Sequence, residues 1–372
     1  MPITPDEDAL APYDAVLLLS FGGPEAPDEV VPFLRRVTAG RDVPEERLEE
    51  VAKHYHHFGG VSPINGQNRE LLAALEAELV RRGSAVPVLW GNRNSAPFVT
   101  DTLRAARAQG QLRICVVVTS AYSSYSGCRQ YREDLAAATE ELGLAAVDLD
   151  IDKVRPYALH PGFTAVNTEH LVDSVSTIDA SKLPTTRLLF VTHSIPEAMD
   201  DTSGPGDSDG NLYVEQHLRA GYLIAQGLTE RTGVTLPQEL VFCSRSGSPR
   251  TPWLEPDVND RIEELAAEGV TTVVLAPIGF VSDHMEVVND LDREARETAD
   301  RLGVEIVRVS TAGTHPVFVE ALVDLLEERA AEARGEVVIP AQADGGDLRP
   351  SNCAPGCCPN LRAALPALCG QD

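Results

Sequence analysis

Two apolar runs in the second half of the chain end in side chains that can ligate a metal or carry a proton. Leu188-Leu-Phe-Val-Thr-His-Ser-Ile-Pro196 reads as a buried strand, with His193 at its end. Val273-Val-Leu-Ala-Pro-Ile-Gly-Phe-Val-Ser-Asp-His-Met-Glu286 reads as a second strand, with Glu286 just past it. Strand C-termini in an open parallel sheet share one edge, and ligands bind in the crevice there. An imidazole and a carboxylate facing each other across that crevice suit divalent iron and also accept protons. Small polar neighbours and a following proline favour exposure of His193 to a crevice over a packed structural histidine. If the segment after Glu286 is helical, Glu286, Asp290 and Glu294 fall at i, i+4 and i+8 on one face. Like charges at that spacing cost a few tenths of a kcal/mol each. A ladder that starts at a cleft therefore reads as a path for metal or protons. A solvated acidic face explains it equally well.

Hydroxyl-rich loops could serve an apolar ligand with carboxylates. Ala121 to Tyr131 is rich in Tyr and Ser, with Arg129 beside it. Phe58-Gly-Gly-Val-Ser-Pro-Ile-Asn65 offers backbone N–H groups and Ser62. Ordinary turn chemistry is the plain alternative for both. Ser20-Phe-Gly-Gly-Pro24 lacks the G-x-G-x-x-G pattern, which argues against dinucleotide binding. Of seven cysteines, Cys353, Cys357, Cys358 and Cys369 crowd the last twenty residues, while Cys115, Cys128 and Cys243 lie in the body. Three tail thiolates plus one from the body could hold an iron–sulfur cluster, with a four-thiolate zinc site or free thiols as rivals. Cys128, in the Tyr/Ser loop, is the best body candidate, and Cys115 sits mid-strand.

The elements that must position these groups alternate along the chain. Short β-rich runs at Ala15–Ser20, Val86–Trp90 and Ile114–Thr119 are separated by amphipathic helical stretches, and the pattern restarts after Arg155-Pro-Tyr157. This predicts α/β architecture with parallel sheets. The halves echo each other, so we read a duplicated, doubly wound unit with a cleft between the copies. The expected divisions are residues 13–155, 156–335 (its last helix packing back on the first unit) and a cysteine-containing tail, 336–372. Residues 1–12 read as a disordered acidic leader. The formal net charge of −26 comes without a basic stripe, which excludes phosphate-directed nucleic-acid binding. No run is long and apolar enough for a membrane span, and no signal pattern opens the chain, so the expected location is cytoplasmic. Without a heptad seam or large apolar stripe, a monomer is expected.

Taken together, these motifs resemble the ferrochelatases, and within them the actinobacterial branch of coproporphyrin ferrochelatases. The likeness rests on Leu17-Leu-Leu-Ser-Phe-Gly-Gly-Pro24, His54-Tyr-His-His-Phe-Gly-Gly-Val-Ser-Pro-Ile-Asn65 and Thr119-Ser-Ala-Tyr-Ser-Ser-Tyr-Ser-Gly-Cys128. It also rests on Val191-Thr-His-Ser-Ile-Pro196, Ser244-Arg-Ser-Gly247, Trp253-Leu-Glu-Pro-Asp257 and Pro277 to Glu286, in the family order over roughly residues 13–335. The resemblance implies two similar Rossmann-like domains with four-stranded parallel sheets, chelatase-like, and the active site between them. It implies insertion of ferrous iron into a free porphyrin in heme biosynthesis, coproporphyrin III in this branch. Protoporphyrin IX, a cobalt or nickel tetrapyrrole chelatase and a non-catalytic heme carrier are the alternatives. His193 matches the family's iron-site histidine and Glu286 its acidic partner. Ser62, Tyr131 and Tyr55 match positions that contact the porphyrin. Phe21 stands where some members have tyrosine, and packing against the macrocycle is its implied role. His54 and Thr38 replace basic residues that some members use around the propionates. Many members of the branch carry a [2Fe–2S] cluster. The matching set is Cys128, Cys353, Cys358 and Cys369, with Cys357 as alternate, because the tail spacing departs from the usual compact trio. The partners implied are porphyrin and ferrous iron, with a transient handover to the next enzyme of the heme pathway.

Overall fold

The computed structural model describes residues 8–40, 43–143, 148–245, 250–345, 349–368 and Gly370. The first half runs β1 (Ala15–Ser20), α1 (Val30–Val37), α2 (Glu45–His57), α3 (Ile64–Arg81), β2 (Val88–Asn92), α4 (Val99–Ala108), β3 (Arg113–Val118), α5 (Gln130–Glu141) and β4 (Asp150–Lys153). The second runs α6 (Pro161–Ser176), β5 (Thr186–His193), α7 (Glu197–Asp201), α8 (Leu212–Thr232), β6 (Gln238–Cys243), α9 (Val258–Ala267) and β7 (Thr272–Ala276). It continues through α10 (Met285–Val287), α11 (Ala295–Leu302), β8 (Glu305–Arg308) and α12 (Pro316–Ala333). Two π-helical turns, Tyr125–Arg129 and Val288–Glu294, lead into α5 and α11.

All pairings within the two four-stranded sheets are parallel, in the orders β2-β1-β3-β4 and β6-β5-β7-β8. β1 and β5 therefore hold equivalent places, which is the duplication read from the sequence. Both faces of each central strand are buried. Val16 and Leu18 of β1 and Leu188 and Phe190 of β5 share one core, lined by α3, α6, α8 and α12. The alternate residues face outward, Leu17 and Leu19 toward α4 and α5, Leu189 and Val191 toward α9 and α11. This is the two-residue period of a strand buried on both sides. Met285, from the second half, joins Phe33 and Tyr55 of α1 and α2 in a fourth cluster.

Three expectations change. β4 does not stand out in the sequence, because Asp150-Ile-Asp-Lys153 is an edge strand with two carboxylates and low β propensity. Residues 8–12 are not a disordered leader: Leu10 is buried in the shared core, and Asp8 accepts hydrogen bonds from Ser84 Oγ and the Ala85 N–H at 2.9 and 3.1 Å. The helix considered after Glu286 is interrupted by the π turn. No described helix is long and apolar enough to cross a membrane.

Candidate active site

β5 delivers His193 as its last residue, in register with Cys243 at the end of β6. Tyr213 of α8 fixes this strand end. Its hydroxyl donates to the His193 carbonyl at 2.9 Å and lies 2.7 Å from Thr192 Oγ1. Glu286 is not just past β7. That strand stops at Ala276, and Glu286 lies in α10 after the loop 277–284. The loop lies flat on β5 because residue 279 is glycine: a Cβ there would sit 2.1 Å from Thr192 Oγ1 and 2.8 Å from Thr192 Cα. Arg308 of β8 holds the far end through Asp283 at 2.7 Å. Gln67 of α3 accepts the Asp283 N–H at 2.8 Å.

One carboxylate thus faces two imidazoles. His193 Nε2 lies 3.5 Å from Glu286 Oε2, and His284 Nδ1 lies 4.0 Å from the same oxygen. His193 Nδ1 faces the Ser194 carbonyl. That nitrogen then carries the proton of the neutral ring, and Nε2 offers its lone pair toward Glu286. Burial works against a charge on His193, but hydrogen bonding to Glu286 and its charge carry the pKa above the ordinary histidine value. Burial takes His284 the other way, downward, and the His193 charge adds to that shift. Among the described residues, no three His, Cys, Asp or Glu side chains form a ready cage for a metal ion. A cation held here would keep positions open for a second ligand.

The acidic ladder follows on the π turn. The pKa of Asp290 is pushed up to about 6, mainly by burial, with the Glu286 and Glu294 charges adding. Hydrogen bonds from Ser244 and Asn289 pull it back. Ser244 sits just past β6 at φ 62°, in the left-handed region that few non-glycine residues enter. Glu294 is committed to Asn289 and Arg293 at 3.0 and 2.7 Å. The outer rung is thereby neutralised.

The residues matched to porphyrin contacts group nearby. Phe21 packs against the cluster that holds Tyr55 and Met285, next in sequence to Glu286. Burial, then the Glu286 and Asp290 charges, raise the Tyr55 hydroxyl's pKa. Ser62 presses on Gly23, where a Cβ would lie 2.6 Å from the Ser62 Cβ. Tyr131 is buried beneath Arg93, whose guanidinium lies 4.7 Å from its ring and 5.6 Å from that of Phe21. Arg93, ion-paired to Asp134, escapes the sequence reading because nothing marks an arginine after β2 as special. Ser244 had a signal: it opens the Ser244-Arg-Ser-Gly247 motif on which the family resemblance rests. Ser246 and Gly247 of that motif lie outside the described residues. Two tyrosines of the Tyr/Ser loop do not present their hydroxyls to a ligand. Tyr122 stacks on His217 at 3.5 Å within the core, and Tyr125 donates to Glu133.

The tail returns over this loop. Cys128, Cys353 and Cys358 are buried, and Cys357 is half-buried with its sulfur 3.9 Å from that of Cys358. A hydrogen bond between Cys128 and Cys353, then burial, raise the pKa of the Cys128 thiol. The Gly204 N–H points at Cys358 Sγ, 3.2 Å away. Soft sulfur donors are brought together here, with a backbone donor aimed at one of them, but no three of them form a ready metal cage among the described residues. Cys369 lies outside the described residues.

The ferrochelatase family model matches residues 13–330. A Streptomyces coelicolor protein named coproporphyrin III ferrochelatase is 52% identical over 99% of both chains. A Leifsonia xyli protein of the same name is 49% identical, covering 96% of this chain and 94% of its own. The solved structure of SirB from Bacillus subtilis with Fe3+ covers 86% of this chain and 97% of its own at 15% identity, with a TM-score of 0.49. With a family match across both sheets and half the residues shared with full-length relatives, the chain belongs to the ferrochelatase family.

Proposed function

We propose that this chain inserts ferrous iron into coproporphyrin III, releasing two protons and giving iron coproporphyrin III for heme synthesis. One observation carries the reading: the 3.5 Å approach of His193 Nε2 to Glu286 Oε2 at the edge of the second sheet. The substrate follows the name borne by its relatives. We read residues 13–155 and 156–335 as the two walls of the cleft and 336–372 as the tail. The reaction is placed in the cytoplasm, with handover to the next enzyme of the pathway.

Free porphyrin is flat, and its lone pairs must tilt out of plane before a metal can enter. Contacts around the rim from Phe21, Tyr55, Ser62 and Tyr131 supply the binding energy for that distortion. Neutral His193 accepts a pyrrole proton or ligates the incoming iron at Nε2, and one nitrogen cannot do both at once. Glu286 holds the hydrated cation. Asp290, with its pKa near 6, passes protons or metal between Glu286 and Glu294. A [2Fe–2S] group on Cys128 and three of Cys353, Cys357, Cys358 and Cys369 would supply a redox-active tie between tail and body. The proton and metal steps at His193, Glu286 and Asp290 do not run through it.

Anaerobic incubation with ferrous iron and either coproporphyrin III or protoporphyrin IX, followed by absorbance, tests the reading. Faster metallation of coproporphyrin is expected, and cobalt or nickel in place of iron tests the metal. His193→Ala should abolish insertion while porphyrin still binds. Turnover near wild type in that variant overturns the assignment.

A further inference from the structure

The tail passes beside the residues read as porphyrin contacts, and Asn360 fixes it there. Its amide donates to the Tyr125 hydroxyl at 2.9 Å and to Glu133 at 3.0 Å, and its Oδ1 accepts the Arg362 and Ala363 N–H groups at 3.0 and 3.3 Å. Between this bend, the end of α1 and the start of α5 lies an open cavity of about 340 Å3, lined by Arg36, Asn94, Gln130, Asp134, Asn360 and Arg362. It adjoins the candidate active site. Asn94 donates to the Phe21 carbonyl through its backbone N–H at 3.1 Å and its amide at 3.0 Å. Gln130 directly precedes Tyr131. Val37, also on the wall, packs against the cluster of Phe21, Tyr55 and Met285. The arginines around the cavity fall into two groups. Arg35, Arg69, Arg93 and Arg129 are paired with Glu45, Glu25, Asp134 and Glu133. Arg36 and Arg362 have no carboxylate partner among the described residues. Arg36 Nε donates to the Asn94 carbonyl at 2.8 Å, and its guanidinium lies 5.4 Å from the Phe98 ring; that of Arg362 lies 5.4 Å from the Tyr125 ring. Such ring contacts hold a guanidinium in place and leave N–H donors free at its edge. On a chain with a formal net charge of −26, two uncommitted cations on one recess make it a local attractor for an anion. The acid on its wall, Asp134, is already met by Arg93.

We propose that this recess binds a carboxylate side chain of the porphyrin, held by Arg362 of the tail and Arg36 of α1. The inference rests on the porphyrin reading given above and names where one anionic end of that substrate goes. Guanidinium groups take a carboxylate through paired N–H donors, and Gln130 adds an uncharged donor on the same wall. A carboxylate shared by Arg36 and Arg362 ties the tail to α1. The tail is then part of the substrate site, and its docking and porphyrin binding favour each other.

The test is fluorescence titration of the full chain with coproporphyrin III, beside steady-state iron insertion. Both arginines are exposed, so their substitution leaves the core untouched. Arg362→Gln should weaken porphyrin binding about three- to tenfold, and the double variant with Arg36→Gln should weaken it further. The ratio kcat/KM should fall by the same factor, through KM. Arg362→Lys keeps the charge and should recover part of the affinity. The gap between wild type and variant should narrow in high salt, and the tetramethyl ester of the same porphyrin, dispersed in detergent, should bind both alike. Wild-type affinity in the double variant, with wild-type protein inserting iron, overturns the carboxylate subsite and leaves the proposed function standing. A loss confined to kcat, or an equal loss for the ester, makes Arg362 a structural residue of the tail and overturns the subsite too. Wild-type protein that binds no porphyrin overturns the porphyrin reading, and the subsite with it.

Discussion

At the residue scale, Glu286 stands at the meeting of two imidazoles and the acidic ladder. Glu286→Gln keeps the shape and removes the charge. Turnover is expected to fall about a hundredfold or more, with porphyrin affinity held within about threefold, as steady-state kinetics and a fluorescence titration would show. A loss confined to affinity would make Glu286 a binding group. Ser244 offers a finer test. Its hydroxyl bonds the Asp290 carboxylate and favours the ionised form, opposing burial. Ser244→Ala should therefore raise the Asp290 pKa further and move the acidic limb of the pH–rate profile to higher pH. A profile that stays in place would show that Asp290 does not govern that limb. His193 and Glu286 were legible because each lies near the end of a conspicuous apolar run. The 3.5 Å distance was not legible, because it depends on how a loop folds back on a neighbouring strand.

At the element scale, the loop from Pro277 to His284 and the π turn after α10 determine where the carboxylates go. Gly279 makes the loop possible. In Gly279→Ala the new methyl would meet not only the Thr192 side chain but its Cα, at 2.8 Å, so truncating Thr192 cannot relieve the clash. The loop must lift off β5, costing about 1–3 kcal/mol in urea unfolding and moving Glu286 away from His193. Turnover should fall with it, and a variant with wild-type turnover and stability would show that the close approach is unnecessary. An i, i+4 pattern of carboxylates reads the same on an α-helix or a π turn, so the interruption of the helix is invisible in sequence. β4 was missed for a different reason. Its polar alternation is that of an edge strand, which only the neighbouring β3 turns into part of a sheet. The central strands were legible because both of their faces are buried and their residues are almost uniformly apolar.

At the scale of the whole molecule, both sheets contribute to one core, and that core contains histidines held neutral. His217 of α8 stacks on Tyr122 at 3.5 Å, and burial lowers its pKa to about 3. His160, whose Nδ1 accepts the Gly162 N–H at the start of α6, is lowered to about 4, by burial first and then by Arg155. Each pKa is depressed in the folded state, so between the ordinary value of 6.5 and the folded value the unfolded chain binds the extra proton. Stability must fall as pH drops through that window, by about 2 kcal/mol per histidine between pH 6.5 and 5. Depressed carboxylates such as Glu78, at about 2, lose their contribution only below the ordinary value of 4.5. Asp290 acts in the opposite direction, because its raised pKa lets the folded state take up a proton below about pH 6. A comparison of variants cancels both contributions. His217→Gln removes one titration while keeping a polar side chain against α8. Urea unfolding at pH 7 and pH 5 should show a smaller loss on acidification for the variant than for wild type, whatever the variant's stability at pH 7. Equal losses would mean that His217 is not the buried neutral base that joins the two halves, and that acid enters this core elsewhere.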